Sequence, residues 1–461
     1  MAFATRSSLV LSALFLSTQV HASPWIGTDS PLLRSSVETL VNHGVIKRPV
    51  NTYPLMWQGV AQDLHGVSVN QLAPQAQFAY HHLQHALKFA QQESSSSVRV
   101  FSNSEPQTWQ GFAPRNQAKS GIETSGQITG KVVSAKLSVN YRDESLDGKY
   151  VNYDGSYLAV LLGNWSISGE KINHWWGPSQ ENPLVLSNNA QAMKGVRLSR
   201  HNTNYGGPSW LSFIGPWNFT AIAAKQQSQA NKIDDVEIED GDFWGWRFST
   251  MPISGLEIGL SQTNSDWLHY PVDGFTAEVA DEQRLSSVDF KYSTLLGEFP
   301  LSVYGEYAGH VESALVAEDG AFTFGVQSHY GTSTSLLSSY LEYTDTQSQY
   351  FSAAPDYNCN YGNINIGQGY QHREQNLGPT IGADAEALTW GASYHTMGGY
   401  AGHMKLGRIE RDDVDISRLE LGYQQGVFGA LAKITGHVWR ESHSTDSDTH
   451  TALSLALEYR F

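Results

Sequence analysis

His81 and His85 stand four residues apart in a stretch of helical periodicity, a spacing that puts both imidazoles on one face and would let them share a metal ion. No carboxylate or larger motif accompanies them, so a solvated helical face accounts for the pair more simply. The acidic run Asp234, Asp235, Glu237, Glu239, Asp240 and Asp242 offers oxygen ligands for Ca²⁺, yet it lacks the spacing of a ligand loop and reads as a solvated turn. No G-x-S-x-G elbow, phosphate loop, zinc signature or dinucleotide fingerprint occurs, so neither an enzyme nor a cofactor is expected. The aromatic residues of the long connections are more informative. Trp244, Trp246, Trp267, Tyr270, Tyr350, Tyr357, Tyr361 and Tyr370 alternate with Asn, Asp, Gln and His. A pyranose stacks the C–H face of its ring on an aromatic side chain and offers hydroxyls to planar amides and carboxylates, so this mixture suits sugar binding. Loop packing alone would also use such residues.

The elements that must position these groups fall in two zones. From Pro31 to about Gln92 the apolar residues recur at helical spacing: Leu33, Val37, Leu40 and Val41 share a face and Gly44 follows as a stop. Thr52-Tyr53-Pro54 opens a second helix with Leu55, Trp57, Val60 and Leu64, and Asn70 or Gln71 opens a third through Phe78, Leu83 and Leu87. A small bundle of three helices results. Ser94 to Ser97 reads as a polar linker, after which the period becomes two and stays so to the end.

In Lys131 to Tyr141, Val133, Ala135, Leu137, Val139 and Tyr141 alternate with Ser134, Lys136, Ser138 and Asn140. The same pattern recurs through Leu256–Leu260, Val288–Tyr292, Leu337–Tyr343 and Leu419–Tyr423. Alternation of this kind fits a soluble sandwich or a membrane barrel. The last residues decide: Leu453, Leu455, Leu457, Tyr459 and Phe461 point one way, and a terminal Phe behind such a strand is the signal, carried by Tyr459 and Phe461, that outer-membrane barrels present to the barrel assembly machinery. The N-terminus agrees. Arg6 precedes the apolar run Leu9 to Val20, and Val20-His21-Ala22 offers a cleavage site. The expected organisation is a signal peptide over 1–22, a periplasmic helical bundle over 23–97, and an antiparallel transmembrane β-barrel over 98–461. At about twenty residues per strand and connection, the barrel would hold roughly 16 to 18 strands. Glycines beside aromatics, as in Trp390-Gly391 and Leu421-Gly422-Tyr423, fit lumen positions that must leave space.

Composition narrows the partners. Charged residues make up 16% of 461, Cys occurs once, as Cys359, and the net charge is −16, which speaks against nucleic acid. One cysteine forms no internal disulfide. Tight connections such as Gly297-Glu298 contrast with long ones at Gln229–Asp242, Asn264–Arg284 and Asp345–Glu386; the last, folded back, would plug the lumen.

The segment Lys171-Ile172-Asn173-His174-Trp175-Trp176-Gly177-Pro178, followed by Pro183-Leu184-Val185-Leu186-Ser187-Asn188-Asn189-Ala190, resembles the Wzi family of outer-membrane capsule assembly proteins. Gly44-Val45-Ile46, Pro49-Val50, Tyr53-Pro54-Leu55, Glu342-Tyr343-Thr344-Asp345, Gly369-Tyr370-Gln371-His372-Arg373, Leu377-Gly378 and Gly382-Ala383-Asp384 look like the same family. The resemblance implies an 18-stranded barrel with a periplasmic helical bundle, acting as a lectin that holds exported capsular polysaccharide at the cell surface without catalysis. Asn173-His174 departs from the charged pair expected there.

Together these readings give a monomeric outer-membrane lectin whose partners are capsular or extracellular polysaccharide and outer-membrane lipids. Its candidate sugar contacts are Trp175, Trp176, Asn188, Asn189, Trp244, Trp246, Trp267, Tyr357, Tyr370 and Arg373, with Arg197, Arg200 and Arg284 as further bases for an acidic glycan. The alternative is a porin or polysaccharide exit channel.

Overall fold

A strand that alternates apolar and polar residues can sit between lipid and an interior only if no edge is left unpaired, and here the sheet closes on itself. The computed structural model describes residues 23–113, 116–227, 232–233, 236–237, 240–266, 282–310, 320–347, 370–411 and 414–461. Among them, antiparallel strands from Ser94–Asn103 to Ser447–Arg460 form a barrel of 18. Val151–Asn152 and Ser156–Leu162 both pair with Val133–Ser145 and act as one interrupted strand. The seam joins the first strand to the last, with Val98 opposite Tyr459, and Ser96 and Phe461 exchange backbone hydrogen bonds of 3.1 and 2.9 Å.

Side chains sort by the period-two rule. Phe290, Tyr292, Phe324, Leu341, Leu421, Leu455 and Leu457 lie exposed on the outer wall, while Asp289, Lys291, Gln327, Glu342 and Ser454 are buried inside. Gly391 and Gly422 face the lumen, as the sequence predicts. A Cβ on Gly391 would lie 2.3 Å from the Tyr340 ring on the paired strand, and one on Gly422 would overlap the His403 ring. Each missing side chain admits its neighbour's ring.

The two ends differ. Leu162 to Trp165, Ile253 to Leu256, Leu296 to Phe299, Thr332 to Ser335 and Val427 to Ala430 are tight turns at one end, here the short-turn end. Most long connections lie at the other, the loop end; the exception at the short-turn end is 201–216, which carries the 3₁₀ segment Ser209–Ile214.

Three helices precede the barrel: α1 (Pro31–Asn42), α2 (Trp57–Leu64) and α3 (Pro74–Ala90). Ser30 caps α1, its side chain accepting from the Leu33 N–H, and Gly44, at φ +65, follows as the stop that the sequence predicts. The third helix starts later than its apolar pattern suggests because Pro74 occupies its first turn. Thr52–Tyr53 and Leu55–Met56 are extended, and α2 begins at Trp57. Ser94 to Ser97 is no linker. These serines already belong to the first strand, facing Ser125 to Ile128, and the polar run concealed the alternation.

Nor do the helices stand apart as a separate bundle. α1 enters the short-turn end of the lumen, where Asn42 donates to Leu301 O at 3.2 Å and to Ser302 Oγ at 3.0 Å. Glu38 accepts from Lys291 Nζ at 2.7 Å, Gln327 Nε2 at 2.8 Å and Arg34 Nε at 3.1 Å. Burial alone would raise the Glu38 carboxyl, but the charges of Lys291 and Arg34 and a hydrogen bond with His329 outweigh it and hold the group well below 4.5. A carboxyl depressed on folding stabilises the fold above its ordinary value, and that contribution is lost as pH falls through its folded value.

Two outcomes follow. Removing the Glu38 carboxylate strands the Lys291 ammonium, so Glu38→Ala should cost about 3–5 kcal/mol. The temperature at which the folded band disappears on semi-native electrophoresis should drop at pH 7, and the loss of stability on acidification below 4.5 should be shallower than in the parent. Gly391→Val should drive the Tyr340 ring off its place and cost about 1–3 kcal/mol in the same assay; an unchanged transition would contradict the packing described.

Candidate functional site

Irregular chain inside a lumen keeps its N–H groups away from bulk water, so each needs a partner. Residues 172–193 leave the loop end and cross the interior, and wall carboxylates receive them. Glu342 accepts from Ser179 Oγ at 2.7 Å and from the backbone N–H groups of Gln180 at 2.6 Å, Glu181 at 3.1 Å and Asn182 at 3.0 Å. Glu306 takes the N–H of Leu184 at 3.1 Å, and Glu257 takes those of Val50 at 2.7 Å and Asn51 at 3.1 Å. Gly177, at φ +113, passes so close to Glu306 that a Cβ would stand 2.8 Å from its Oε2. A larger residue would push that carboxylate aside and would strain the backbone at this φ.

Trp175 and Trp176 pair with Tyr53 and Thr52 as a two-residue ladder and both are 0% exposed. Trp175, Phe112 and Tyr53 enclose the Arg34 guanidinium, whose Cζ lies 4.6 Å from the Phe112 centroid and 5.6 Å from that of Trp175. Arg34 also donates to Pro178 O and Ser179 O, each at 2.8 Å. Trp176 packs in a second cluster with Leu184, Val185, Phe243 and Tyr370. Asn188 and Asn189 form a knot: Asn188 Nδ2 donates to Ala113 O at 2.6 Å, Asn189 Nδ2 donates to Asn376 O at 3.0 Å, and Gln117 Nε2 donates to Asn189 O at 2.9 Å. Residues 104–113, 116–117 and 370–384 are thereby tied to the crossing strap. The latter does fold inward, with Tyr370 0% exposed and its hydroxyl donating to Thr263 Oγ1 at 2.8 Å.

These positions revise the expected contact set. Trp175, Trp176, Asn188, Asn189 and Tyr370 are buried and hold the plug together, so no glycan reaches them in this arrangement. Trp244, 38% exposed, and Trp246 stand in the strand Gly241–Ile253 rather than in a loop, and they face outward between Phe243, Gly245 and Arg247, which face in. Arg373 is buried against Gln227, to which its Nη2 donates at 2.8 Å. Arg197 is buried and paired with Glu170 at 2.8 Å, and Arg200 lies at the short-turn end. Trp267, Tyr357, Tyr270, Tyr350, Tyr361 and Cys359 lie outside the described residues, as do Asp234, Asp235 and Glu239 of the acidic run and the segment 1–22. His81 and His85 occupy the exposed face of α3. Tyr459 and Phe461 lie exposed at the seam, their rings 4.8 Å apart.

The arrangement best able to meet a large ligand is one that alternation concealed. At the loop end Trp439 and His450, directly paired across the last two strands, stack at 5.2 Å with planes 19° apart. Trp109, on the inward-turning strap 104–117, meets Trp439 edge-on at 6.0 Å. Trp109 and Trp439 are half-buried and His450 is exposed, so the three rings form a shelf open to water. Glu441 accepts from Trp439 Nε1 at 3.1 Å and faces Asp448, which places carboxylates beside the rings. Below the shelf Gln107 reaches His437 and donates to Ser454 Oγ at 3.2 Å. A flat apolar surface bordered by hydrogen-bonding groups can stack a sugar ring and engage its hydroxyls. Three residues remote in sequence make it, so only their periods, inward for Trp439 and His450, hinted at it.

The model for the capsule assembly protein Wzi matches residues 90–265 and 273–412. Over 360 residues the chain is 26% identical to an uncharacterized 55.8 kDa protein in the cps region of Klebsiella pneumoniae, spanning 72% of this chain and 67% of that protein. A solved structure from Escherichia coli, Wzi, is described as an outer-membrane protein involved in group 1 capsule assembly and a carbohydrate-binding β-barrel. It superposes with a TM-score of 0.81 at 21% identity, covering 94% of this chain and 99% of that one.

The packing around Trp175 yields a prediction. Trp175→Ala should cost about 3–5 kcal/mol and leave a void beside Arg34. The barrel should still migrate as folded on semi-native gels while limited proteolysis cuts the 172–193 strap faster than in the parent. Equal cutting rates would show that the indole does not hold the strap.

Proposed function

This chain belongs to the Wzi family of capsule assembly proteins, and from that premise we propose that it is a lectin which holds exported polysaccharide at the cell surface. The closed barrel with its apolar outer wall is an outer-membrane architecture. In such barrels the short turns face the periplasm, which directs the shelf of Trp109, Trp439 and His450 outward. That exposed shelf is the observation that carries the reading. The E. coli structure is described as carbohydrate-binding, and this supports the same class of ligand here. Residues 23–93 serve as a periplasmic-side plug, residues 1–22 as the export signal, and Tyr459 with Phe461 as the strand end read during assembly.

Each sugar would bind weakly. A polymer compensates because one bound repeat raises the effective concentration of the next at the same cell surface. With a net charge of −16 and carboxylates at the shelf, the favoured repeats are neutral or only sparsely acidic at the contact.

A channel reading draws on the seam-side wall, where His403, Lys405, Glu420 and His437 remain partly solvated. The strap opposes a wide passage there: Glu181 bridges to Lys405 at 2.7 Å and Arg418 at 3.1 Å.

Trp109→Ala combined with Trp439→Ala should lower cell-attached polysaccharide at least tenfold, with shed polymer rising in step, while folding and surface abundance stay unchanged. Normal retention would refute the lectin reading. In planar bilayers the parent protein should show no large steady conductance; a wide, constant channel would favour export.

A further inference from the structure

The outer wall is hollowed between the strands Ser335–Asp345 and Ala430–Ser442. A groove of about 490 Å³ opens there to the lipid side. Its floor is one outward row across the sheet, with Leu341 opposite Trp390, Trp390 opposite Leu406, Leu406 opposite Leu419, and Leu419 opposite Val438. Trp390 donates its Nε1 to Ser339 Oγ at 3.1 Å, which fixes the indole as one bank. The next row toward the loop end is different. Arg408 lies opposite Ser417, and Ser417 opposite Arg440, so two cations flank a small residue at the head of the groove.

A guanidinium turned toward lipid is tolerated near an interface, where it can meet a headgroup, and becomes costly deeper in the band. Both arginines sit near that boundary, since their strands end at Arg411 and Ser442. Arg408 is 59% exposed and touches Glu410 at 2.9 Å and Asp415 at 3.1 Å. Arg440 donates to the neutral hydroxyl of Ser447 at 2.8 Å, so an incoming anion would meet Arg440 first. The arginines are two strand spacings apart, about 10 Å. That span fits a headgroup bearing two phosphates better than one bearing a single phosphate.

We propose that this groove binds a phosphorylated glycolipid of the outer leaflet, its phosphates on Arg408 and Arg440 and an acyl chain over Leu406, Leu419 and Val438. Three features agree: the cations lie on the loop-end side, the groove is continuous with the lipid-facing wall, and a guanidinium forms paired hydrogen bonds with phosphate oxygens. The two arginines stand on the outer face of the wall, and although Trp439 of the shelf also lines the groove, the phosphate contacts do not depend on what the shelf binds.

The experiment is native mass spectrometry of the full-length protein in detergent with added diphosphoryl lipid A. The parent should retain the lipid as a discrete adduct. Arg408→Gln with Arg440→Gln should lower the bound fraction at least tenfold, and Ser417→Trp, which fills the head of the groove, should do so with both arginines present. Dephosphorylated lipid A should bind the parent no better than the double variant binds the intact lipid. The proposal is overturned if the double variant keeps the parent's adduct, if the dephosphorylated lipid binds equally well, if phosphatidylglycerol binds as tightly as lipid A, or if inorganic phosphate displaces the lipid at equal concentration. Migration of the folded band checks each variant, and the arms that compare lipids on the parent protein decide the matter even if a variant misfolds.

Discussion

The structure depends on how irregular backbone is made tolerable inside a membrane cylinder. A filled lumen needs chain that is neither helix nor strand, and such chain presents N–H groups with no ladder to join. Three glutamates, Glu257, Glu306 and Glu342, project from wall strands and accept those groups from residues 50–51, 180–182 and 184. Buried carboxylates are expensive when isolated; several donors converge on Glu257 and Glu342, whereas Glu306, among the described residues, accepts the Leu184 N–H alone. Arg34 does the converse on the plug side, as a cation enclosed by Tyr53, Phe112 and Trp175 that holds carbonyls of the turn at Pro178 and Ser179. Both sides contribute each kind of partner: wall carboxylates take plug N–H groups, while Glu38 of the plug and Glu181 of the strap accept from wall Lys291, Gln327, Lys405 and Arg418.

The division between lipid-facing wall and filled interior explains what could be read from the residues alone. Period-two runs such as Val133–Tyr141 and Leu453–Phe461 specify a lipid-facing sheet because lipid imposes one requirement on every outward side chain. The first helix was equally legible through Leu33, Val37, Leu40 and Gly44. The start of the barrel was not. Ser94 to Ser97 is polar on both faces because this end of the strand meets water and other serines, and period two is invisible where both faces are wet.

The Trp-Trp-Gly-Pro and Ser-Asn-Asn-Ala segments show a subtler limit. Their residue types suit sugar binding, and they suit equally well the task they perform, in which indoles fill space and amides bridge three chains. Composition does not separate a glycan from another stretch of polypeptide, since both offer apolar faces beside hydrogen-bonding groups. Trp244 and Trp246 mislead for a different reason: both occupy outward positions of one strand, and a loop assignment placed them on the wrong side of the wall. The shelf of Trp109, Trp439 and His450 escaped notice because it is assembled from a strap and two strand ends, a convergence set by register rather than by local sequence.

The closing junction of the cylinder, where Ser97–Asn103 meets Ser454–Arg460, lies across the lumen from the strands that carry Glu257, Lys291, Glu306 and Glu342. The four groups that grip the internal chain thus stand on the side of the wall away from the join of its first and last strands, and that join is held by backbone pairing along Ser97–Asn103 and Ser454–Arg460.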